Sequence, residues 1–270
     1  MTQRIVQVDA FTDQAFAGNP AAVCLMETAA EEKWMQAIAA EMNLSETAFL
    51  YPIADGYNLR WFTPTAEVEL CGHATLATAH VLWEENHLAV DQIARFETKS
   101  GTLTAAKKEN LIELDFPATI EKEATMPEGL SSVLGSPVKY VGRSNYDYLV
   151  ELNSDEEVRK LTPDLSALAK LPVRGLIVTA RSDDPKFDFI SRMFAPAVGV
   201  PEDPVTGSAH CTLGPYWKWK LNKDKLTAYQ ASKRGGVIYL TVNGDRVKLA
   251  GHAVTVFSGE LADVAFPKLM

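Results

Sequence analysis

The chain has 270 residues, of which 47% are hydrophobic and 23% charged, and its formal net charge is −9. It has no cluster of Lys and Arg, and its apolar runs are far shorter than the roughly 20 residues of a membrane helix, so neither nucleic acid nor a membrane is an expected partner. Three cysteines without a CxxC pair argue against a disulfide framework, and we expect a soluble cytoplasmic protein.

The chain begins with a strand and continues to an amphipathic helix. Residues 5–11 alternate apolar and polar side chains, which is typical of a strand. One apolar face at helical spacing predicts the helix; it consists of Trp34, Met35, Ile38, Ala39 and Met42. Thr28 and Glu31 have the spacing of a capping box, which places the helix start there, and Asn43 is expected to end it.

A different kind of helix is expected after Gly72. Residues 73–83 are apolar or small nearly all round, so this helix must be surrounded by protein. A second segment of the same kind begins at Gly207. The first turn of a helix leaves free N–H groups, and a glycine there lets an anion approach them. The alternative is that both glycines only allow tight packing.

The two halves of the chain resemble each other. Gly72 and Gly207 lie 135 residues apart, and the same offset carries Gly101 onto Gly236 without a gap. Upstream, residues 60–64 (RWFTP) match residues 192–196 (RMFAP) at an offset of 132. An ordered series of matches in one register predicts an internal duplication.

This duplication predicts the domain organisation and the fold class. We expect an N-terminal domain over residues 1–118, joined by a C-terminal strand at 258–270, and a second domain over 130–257, with a linker at 119–129. The expected fold is α+β. It has two pseudo-symmetric domains, each a curved, mostly antiparallel sheet wrapped around a central buried helix. Two helix starts that face each other across the interdomain cleft would hold one anion.

Several motifs point to a known family. In chain order they are VDAFT at 8–12, GNP at 18–20, NLSETAF at 43–49, RWFTP at 60–64, CGHAT at 71–75, EDPVTGSAH at 202–210 and GHAVTV at 251–256. In these motifs, spread over nearly the whole chain, the sequence resembles the PhzF-like (phenazine biosynthesis F) isomerases. That family has the diaminopimelate-epimerase type of fold.

The resemblance implies a set of site residues. It assigns Glu46 as the general acid/base, with His73 and Asp203 as the other catalytic groups. It also implies Ser208 as a residue that holds the substrate; the other substrate-binding residues that we expect are Gly72 and Gly207, at the helix starts, and Asn19. It further implies catalysis without a metal or an organic cofactor, a small anionic metabolite as substrate and a possible homodimer.

The residue chemistry can be judged beside that resemblance. Removing a proton from carbon without a cofactor needs a partly desolvated carboxylate and fixed positive dipoles where enolate charge develops. Glu46 stands between Leu44 and an apolar run; its spacing alone favours a solvated acid at a strand edge, and the resemblance reverses that preference. His73, in the first turn of a buried helix, is expected to be neutral; it could instead be a simple capping residue. Asp203, beside the second helix start, could likewise be only a cap.

The repeat also disfavours some chemistries. Epimerases of this fold that use two thiols carry a cysteine in each half, but here Cys71 is matched by Thr206, whose hydroxyl is too weakly acidic to replace a thiol. A metal site from Cys71, His73, His210 and Cys211 lacks a known ligand spacing. We therefore expect a cofactor-independent isomerase that moves a carbon-bound proton. An amino-acid or hydroxy-acid epimerase or racemase, and a non-catalytic metabolite-binding protein, are the alternatives.

Overall fold

The computed structural model describes residues 3–172 and 174–262 of the chain. They form two compact units. The first contains the described residues up to Asp115 and those from Ala250 onward, and the second is Phe116–Leu249. The C-terminal strand of the first unit is Ala253–Leu261, so it begins before residue 258, where it was expected. The last predicted residues of that strand, 263–270, lie outside the described residues.

The first unit is built on one run of paired strands. They are β1 (Gln3–Ala10), β2 (Asn19–Leu25), β3 (Glu46–Ile53), β4 (Gly56–Phe62), β5 (Glu67–Val68), β6 (Ala94–Thr98), β7 (Gly101–Lys108), β8 (Leu111–Pro117) and β18 (Ala253–Leu261). β1 pairs antiparallel with both β18 and β2. β2–β3 and β4–β6 are parallel pairs, whereas β3–β4, β4–β5, β6–β7 and β7–β8 are antiparallel.

The second unit repeats this order of pairings. Its strands are β9 (Lys122–Glu123), β10 (Val138–Arg143), β11 (Asp147–Leu152), β12 (Gly175–Arg181), β13 (Phe189–Ala195), β14 (Val200–Asp203), β15 (Lys225–Gln230), β16 (Gly236–Asn243) and β17 (Arg246–Gly251). β11–β12 and β13–β15 are the parallel pairs, and β10–β11, β12–β13, β13–β14 and β15–β16 are antiparallel. Each unit is thus a mostly antiparallel sheet of the same topology, as the duplication predicts.

One long buried helix belongs to each sheet. α1 (Glu32–Met42) and α2 (Gly72–Glu84) lie in the first unit. The second unit has α3 (Leu130–Leu134), α4 (Asp155–Lys160), α5 (Leu165–Leu168), a 3-10 turn at Pro196–Val198 and α6 (Gly207–Leu221). Ten of the 13 residues of α2 are buried, and nine of the 15 residues of α6. The prediction of two helices surrounded by protein is therefore confirmed.

The start of α1 corrects one local expectation. The helix begins at Glu32 with Glu31 as its N-cap residue, and no side chain caps it, so the capping box from Thr28 and Glu31 is wrong. The expected end is right, because Asn43 adopts a left-handed conformation with φ 50° and its N–H donates to Ala39 O. The apolar face of α1, rather than its cap, fixes the helix, since Met35, Ile38 and Ala39 are buried.

The helices also bear on the membrane question. Over residues 3–172 and 174–262, no helix is both long enough and apolar enough to pass through a bilayer.

Candidate active site

The parallel pair β2–β3 brings two predicted site residues to one edge of the first sheet. Asn19 is the first residue of β2 and Glu46 the first of β3, and Ala21 is directly opposite Glu46. In a parallel pair the two N-terminal ends lie side by side, so the two side chains start from neighbouring positions. Gly18, just before Asn19, has φ 64°, and a Cβ there would lie 2.2 Å from Ala10 O. Only glycine permits this close turn into β2.

Helix α2 brings the imidazole to the same place. Cys71 is the N-cap residue, with an extended backbone and no side-chain capping bond, and the helix begins at Gly72. His73 is thus the second helical residue. Its Nε2 lies 3.2 Å from Glu46 Oε2, with side-chain exposures of 6% for His73 and 17% for Glu46. The acid and the imidazole that the resemblance singled out therefore meet in the first unit.

Burial decides the charge of the imidazole. It lowers the pKa of His73 to about 3, so the ring is neutral at physiological pH. Burial thus favours the neutral histidine that the sequence leads us to expect. The contact with Glu46 is accordingly not an ion pair but an approach of a neutral ring to a carboxyl group. Nε2 lies near Glu46 but makes no hydrogen bond to the residues that the structure describes.

The other ring nitrogen has its own partners. Asn19 Nδ2 lies 3.2 Å from His73 Nδ1, and Cys71 Sγ lies 3.5 Å from the same atom. Asn19 has no exposed surface, and Cys71 is also buried. Asn19, which was expected to bind substrate, therefore contacts the imidazole of His73 on the side of Nδ1.

Glu46, Cys71 and His73 offer three possible metal ligands within 4.8 Å of one another. However, Cys71 approaches Nδ1 and Glu46 approaches Nε2, on different sides of the ring. A single ion needs one ring nitrogen to point at it together with the other ligands, at about 2.0–2.3 Å. The arrangement fits a chain of polar contacts through the imidazole better than it fits a chelate.

The second unit carries the remaining predicted residues at the start of α6. Thr206 is the N-cap residue, Gly207 begins the helix, and Asp203 ends β14. Thr206 Oγ1 donates to Asp203 Oδ2 at 2.6 Å. Gln230 Nε2 donates to Asp203 O at 2.7 Å, and Gln230 Oε1 accepts from Thr206 N at 2.9 Å. This network holds the Asp203 loop against the helix start.

Sequence reasoning missed an arginine at this helix start. Arg174 Nη2 donates to Ser208 Oγ at 3.2 Å, and its Nε donates to Asp147 Oδ1 at 2.9 Å. Asp147 is buried, whereas the Arg174 side chain is 36% exposed. Burial lowers the pKa of Arg174, but its hydrogen bonds and charge attraction to Asp147 outweigh this and the net shift is upward. A permanent positive charge therefore lies beside Ser208.

Strand register shows which residues of the two units correspond. Arg60 is opposite Phe49 and Arg192 opposite Val178, so the matching motifs align Glu46 with Gly175 and, by the helix offset, His73 with Ser208. A Cβ at Gly175 would lie 2.4 Å from Met193 Cε and 2.8 Å from Phe194 O. The second unit has no room for an acid at this position. Arg174 directly precedes Gly175, so only the alignment of β3 with β12 could have identified it as a site residue.

His210 and Cys211 lie deeper in the second unit. His210 Nδ1 lies 2.7 Å from Thr206 O, and burial lowers the pKa of this histidine to about 4. Burial raises the pKa of the Cys211 thiol to about 12. Both are interior residues of α6 that support the helix rather than offer ligands.

Two sheets of one topology, each with a buried helix, define the α+β fold, and an acid–imidazole pair at one helix start defines the candidate active site. A hydroxyproline epimerase from Agrobacterium vitis shares this fold at TM-score 0.63 and 9% identity, with 97% of this chain and 93% of that chain covered. The chain belongs to the phenazine biosynthesis-like protein family, whose profile matches residues 8–259.

Closer relatives place the chain well inside that family. It is 57% identical over 262 residues to an uncharacterized isomerase of Halalkalibacterium halodurans, with 97% of this chain and 99% of the relative covered. It is similar to a crystal structure of a PhzF family protein from Enterococcus faecalis at TM-score 0.93 and 43% identity, covering 97% of this chain and 100% of that chain. The chain is an isomerase.

Proposed function

We propose that this isomerase moves a carbon-bound proton on a small carboxylate-bearing metabolite, with Glu46 as the general acid/base and no cofactor. The observation that carries the proposal is the 3.2 Å approach of His73 Nε2 to Glu46 Oε2 at the start of α2. A carboxylate that is mostly buried, next to a neutral N–H donor, suits proton transfer to and from carbon. The family's isomerases support the reaction class.

The proposed reaction has two proton transfers. Glu46 takes the proton from a carbon next to the carboxylate or carbonyl of an unsaturated substrate, and the C–H electron pair moves into that group as an enolate conjugated with the carbon–carbon double bond. Glu46 then returns the proton to a different carbon, so a double bond shifts its position and no atoms are gained or lost. His73 Nε2–H stabilises the charge that develops, because a neutral donor in a buried site acts without being solvated by water.

Substrate binding is proposed at the two helix starts. The first turn of a helix leaves N–H groups without partners inside the helix, so those at the starts of α2 and α6 suit an anion. Ser208, beside the guanidinium of Arg174, adds a hydroxyl and a nearby positive charge. Asp203, bonded to Thr206 Oγ1, is proposed to assist the proton transfer.

Solvent deuterium tests this proposal. Purified protein in heavy water is incubated with a panel of cyclic and unsaturated small carboxylic acids, and NMR and mass spectrometry locate any deuterium. We expect incorporation at one carbon with a shifted double bond; inversion at a single stereocentre would instead establish an epimerase.

Glu46→Gln is the decisive variant. We expect it to lower the exchange rate by about 10³-fold while circular dichroism and the unfolding midpoint stay unchanged. Glu41→Gln, at an exposed position of α1, is the matched control and should exchange at the normal rate. A Glu46→Gln protein that retains more than a few per cent of the rate would remove Glu46 from this role.

A further inference from the structure

The geometry points to Asn19 as a positioning residue: by donating from Nδ2 to His73 Nδ1, it holds the ring in the neutral Nε2–H tautomer, with Nε2 at 3.2 Å from Glu46 Oε2. This inference deepens the proposed function and rests on it for its catalytic part. The tautomer itself can be observed without any substrate.

The donor and acceptor chemistry carries the argument. A neutral imidazole has one N–H donor and one acceptor nitrogen. Asn19 Nδ2 has only hydrogens to offer, so at 3.2 Å it makes His73 Nδ1 the acceptor. The thiol of Cys71, 3.5 Å from the same nitrogen, can donate in the same sense. The ring proton must then reside on Nε2, the atom that lies 3.2 Å from Glu46 Oε2.

Burial keeps the Asn19 side chain in contact with the imidazole of His73. The residue has no exposed surface, and its backbone is paired at the start of β2, where Ala10 is opposite Asn19. Its side chain therefore cannot turn to solvent, and water does not compete for Nδ1. A buried amide contact of this kind orients an imidazole much as a carboxylate orients the base of a hydrolytic triad.

The corresponding residues of the second unit are arranged differently. The strand register aligns Ala21 with Asp147, so Asn19 corresponds to Asn145, which is exposed, and His73 corresponds to Ser208. The asparagine is present in both units, but only in the first is it buried against an imidazole. The burial of Asn19 therefore goes together with its contact to His73, because the equivalent asparagine before the strand of the second unit is exposed.

Nitrogen NMR of the wild-type protein is the first test. Long-range proton–nitrogen spectra distinguish the two neutral tautomers of each of the five histidines, and a His73→Gln protein identifies the signals of His73. We expect the Nε2–H tautomer between pH 6 and 8, where the groups facing the ring are Glu46, Cys71 and Asn19. Finding the Nδ1–H tautomer for His73 would overturn the inference.

Two substitutions then test the role of Asn19. Asn19→Asp keeps the shape but replaces the donor by an acceptor, so we expect the ring to change to Nδ1–H, its pKa to rise and deuterium exchange to fall about 100-fold. Asn19→Ala removes the donor only, and we expect a mixed tautomer and a loss of about 10-fold. Asn145→Ala is the control and should leave both readouts unchanged.

The two readouts separate failure of this inference from failure of the proposed function. If wild-type protein exchanges no proton in the panel, the tautomer shift in Asn19→Asp still supports the positioning contact, and an unshifted tautomer overturns it. If wild-type protein exchanges protons but both variants keep the rate within about threefold, Asn19 does not position the catalytic ring. Should Asn19→Asp fail to fold, the wild-type spectrum and Asn19→Ala decide the question.

Discussion

The two units of this protein have one topology but different chemistry at equivalent positions. In the first, a buried imidazole at the second position of α2 meets a carboxyl group at the start of β3. In the second, the corresponding positions are Ser208 and Gly175, and a guanidinium–carboxylate pair, Arg174 with Asp147, lies beside them. Proton transfer needs a titratable group near an acid, whereas anion binding needs only donors and positive charge.

The comparison teaches how a duplicated fold can divide its tasks. Both buried helices begin with a glycine after an extended N-cap residue whose side chain makes no capping hydrogen bond. The backbone thus offers the same helix start twice as a proposed anion-binding element, and the side chains decide which unit is proposed to do acid/base chemistry.

Substituting the side chain at the second position of each buried helix tests the division of tasks between the two units directly. His73→Ser introduces into the first unit the residue that the second unit carries, and we expect deuterium exchange to fall about 10³-fold because Glu46 loses its neutral donor. Ser208→Ala should cost only about 10-fold, mainly as a weaker affinity for the anion, because it removes one neutral hydrogen-bonding group. Equal losses in the two variants would contradict a division of tasks.

The buried helices should contribute equally to stability. Leu76 in α2 and Leu213 in α6 are both completely buried. Replacing either by Ala removes buried methyl groups and leaves a cavity, so each substitution should lower the free energy of unfolding by about 3 kcal/mol. Urea denaturation measures the loss, with Ala substitution of the exposed Leu70 as the control. A loss below about 1 kcal/mol at one position only would show that the two cores are not equivalent.

The contribution of the ion pair between Arg174 and Asp147 to the free energy of unfolding should depend on both side chains. The register aligns Asp147 with Ala21, and Arg174 follows as the counterpart of Ser45. Arg174→Ser leaves a buried carboxylate without its guanidinium and should cost about 2 kcal/mol, a figure reduced from that of a fully buried pair because Arg174 is partly exposed. Adding Asp147→Ala gives the second unit the residues of the first and should restore part of the loss in chemical denaturation. Additive losses would show that the two side chains do not interact.

The buried histidines should make stability depend on pH in both units. Burial lowers the pKa of His73 from 6.5 to about 3 and that of His210 to about 4, so between pH 4 and 6.5 the unfolded chain binds protons that the folded chain does not. Stability should therefore fall as pH falls through this window, by up to about 1.4 kcal/mol per pH unit for each histidine.

Substitution isolates that contribution from those of the carboxylates. His210→Gln should make the dependence of the unfolding free energy on pH shallower by about one proton between pH 4.5 and 6. An unchanged slope in His210→Gln would mean that this histidine is protonated in the folded state.

Much of the site was predictable because its residues are tied to local patterns. Gly72 and His73 follow from an all-apolar helix whose start is marked in the sequence, and the second helix start follows from the repeat. The capping box at Thr28 was wrong since apolar packing of α1, and not its first turn, sets where the helix begins. The contact between Arg174, Asp147 and Ser208 was missed because its partners are 27 and 34 residues away from the arginine and share no motif.

Matching spacings along the amino-acid sequence predict the duplication, whereas the family and the candidate acid and imidazole are predicted from the family's motifs. Tertiary structure decided which polar atoms meet. The parallel register of β2 and β3, with α2 beneath them, buries Asn19 against one nitrogen of His73 and leaves the other facing Glu46. Burial and the direction of a hydrogen bond are properties of the packed sheet and helix, and no spacing along the chain encodes them.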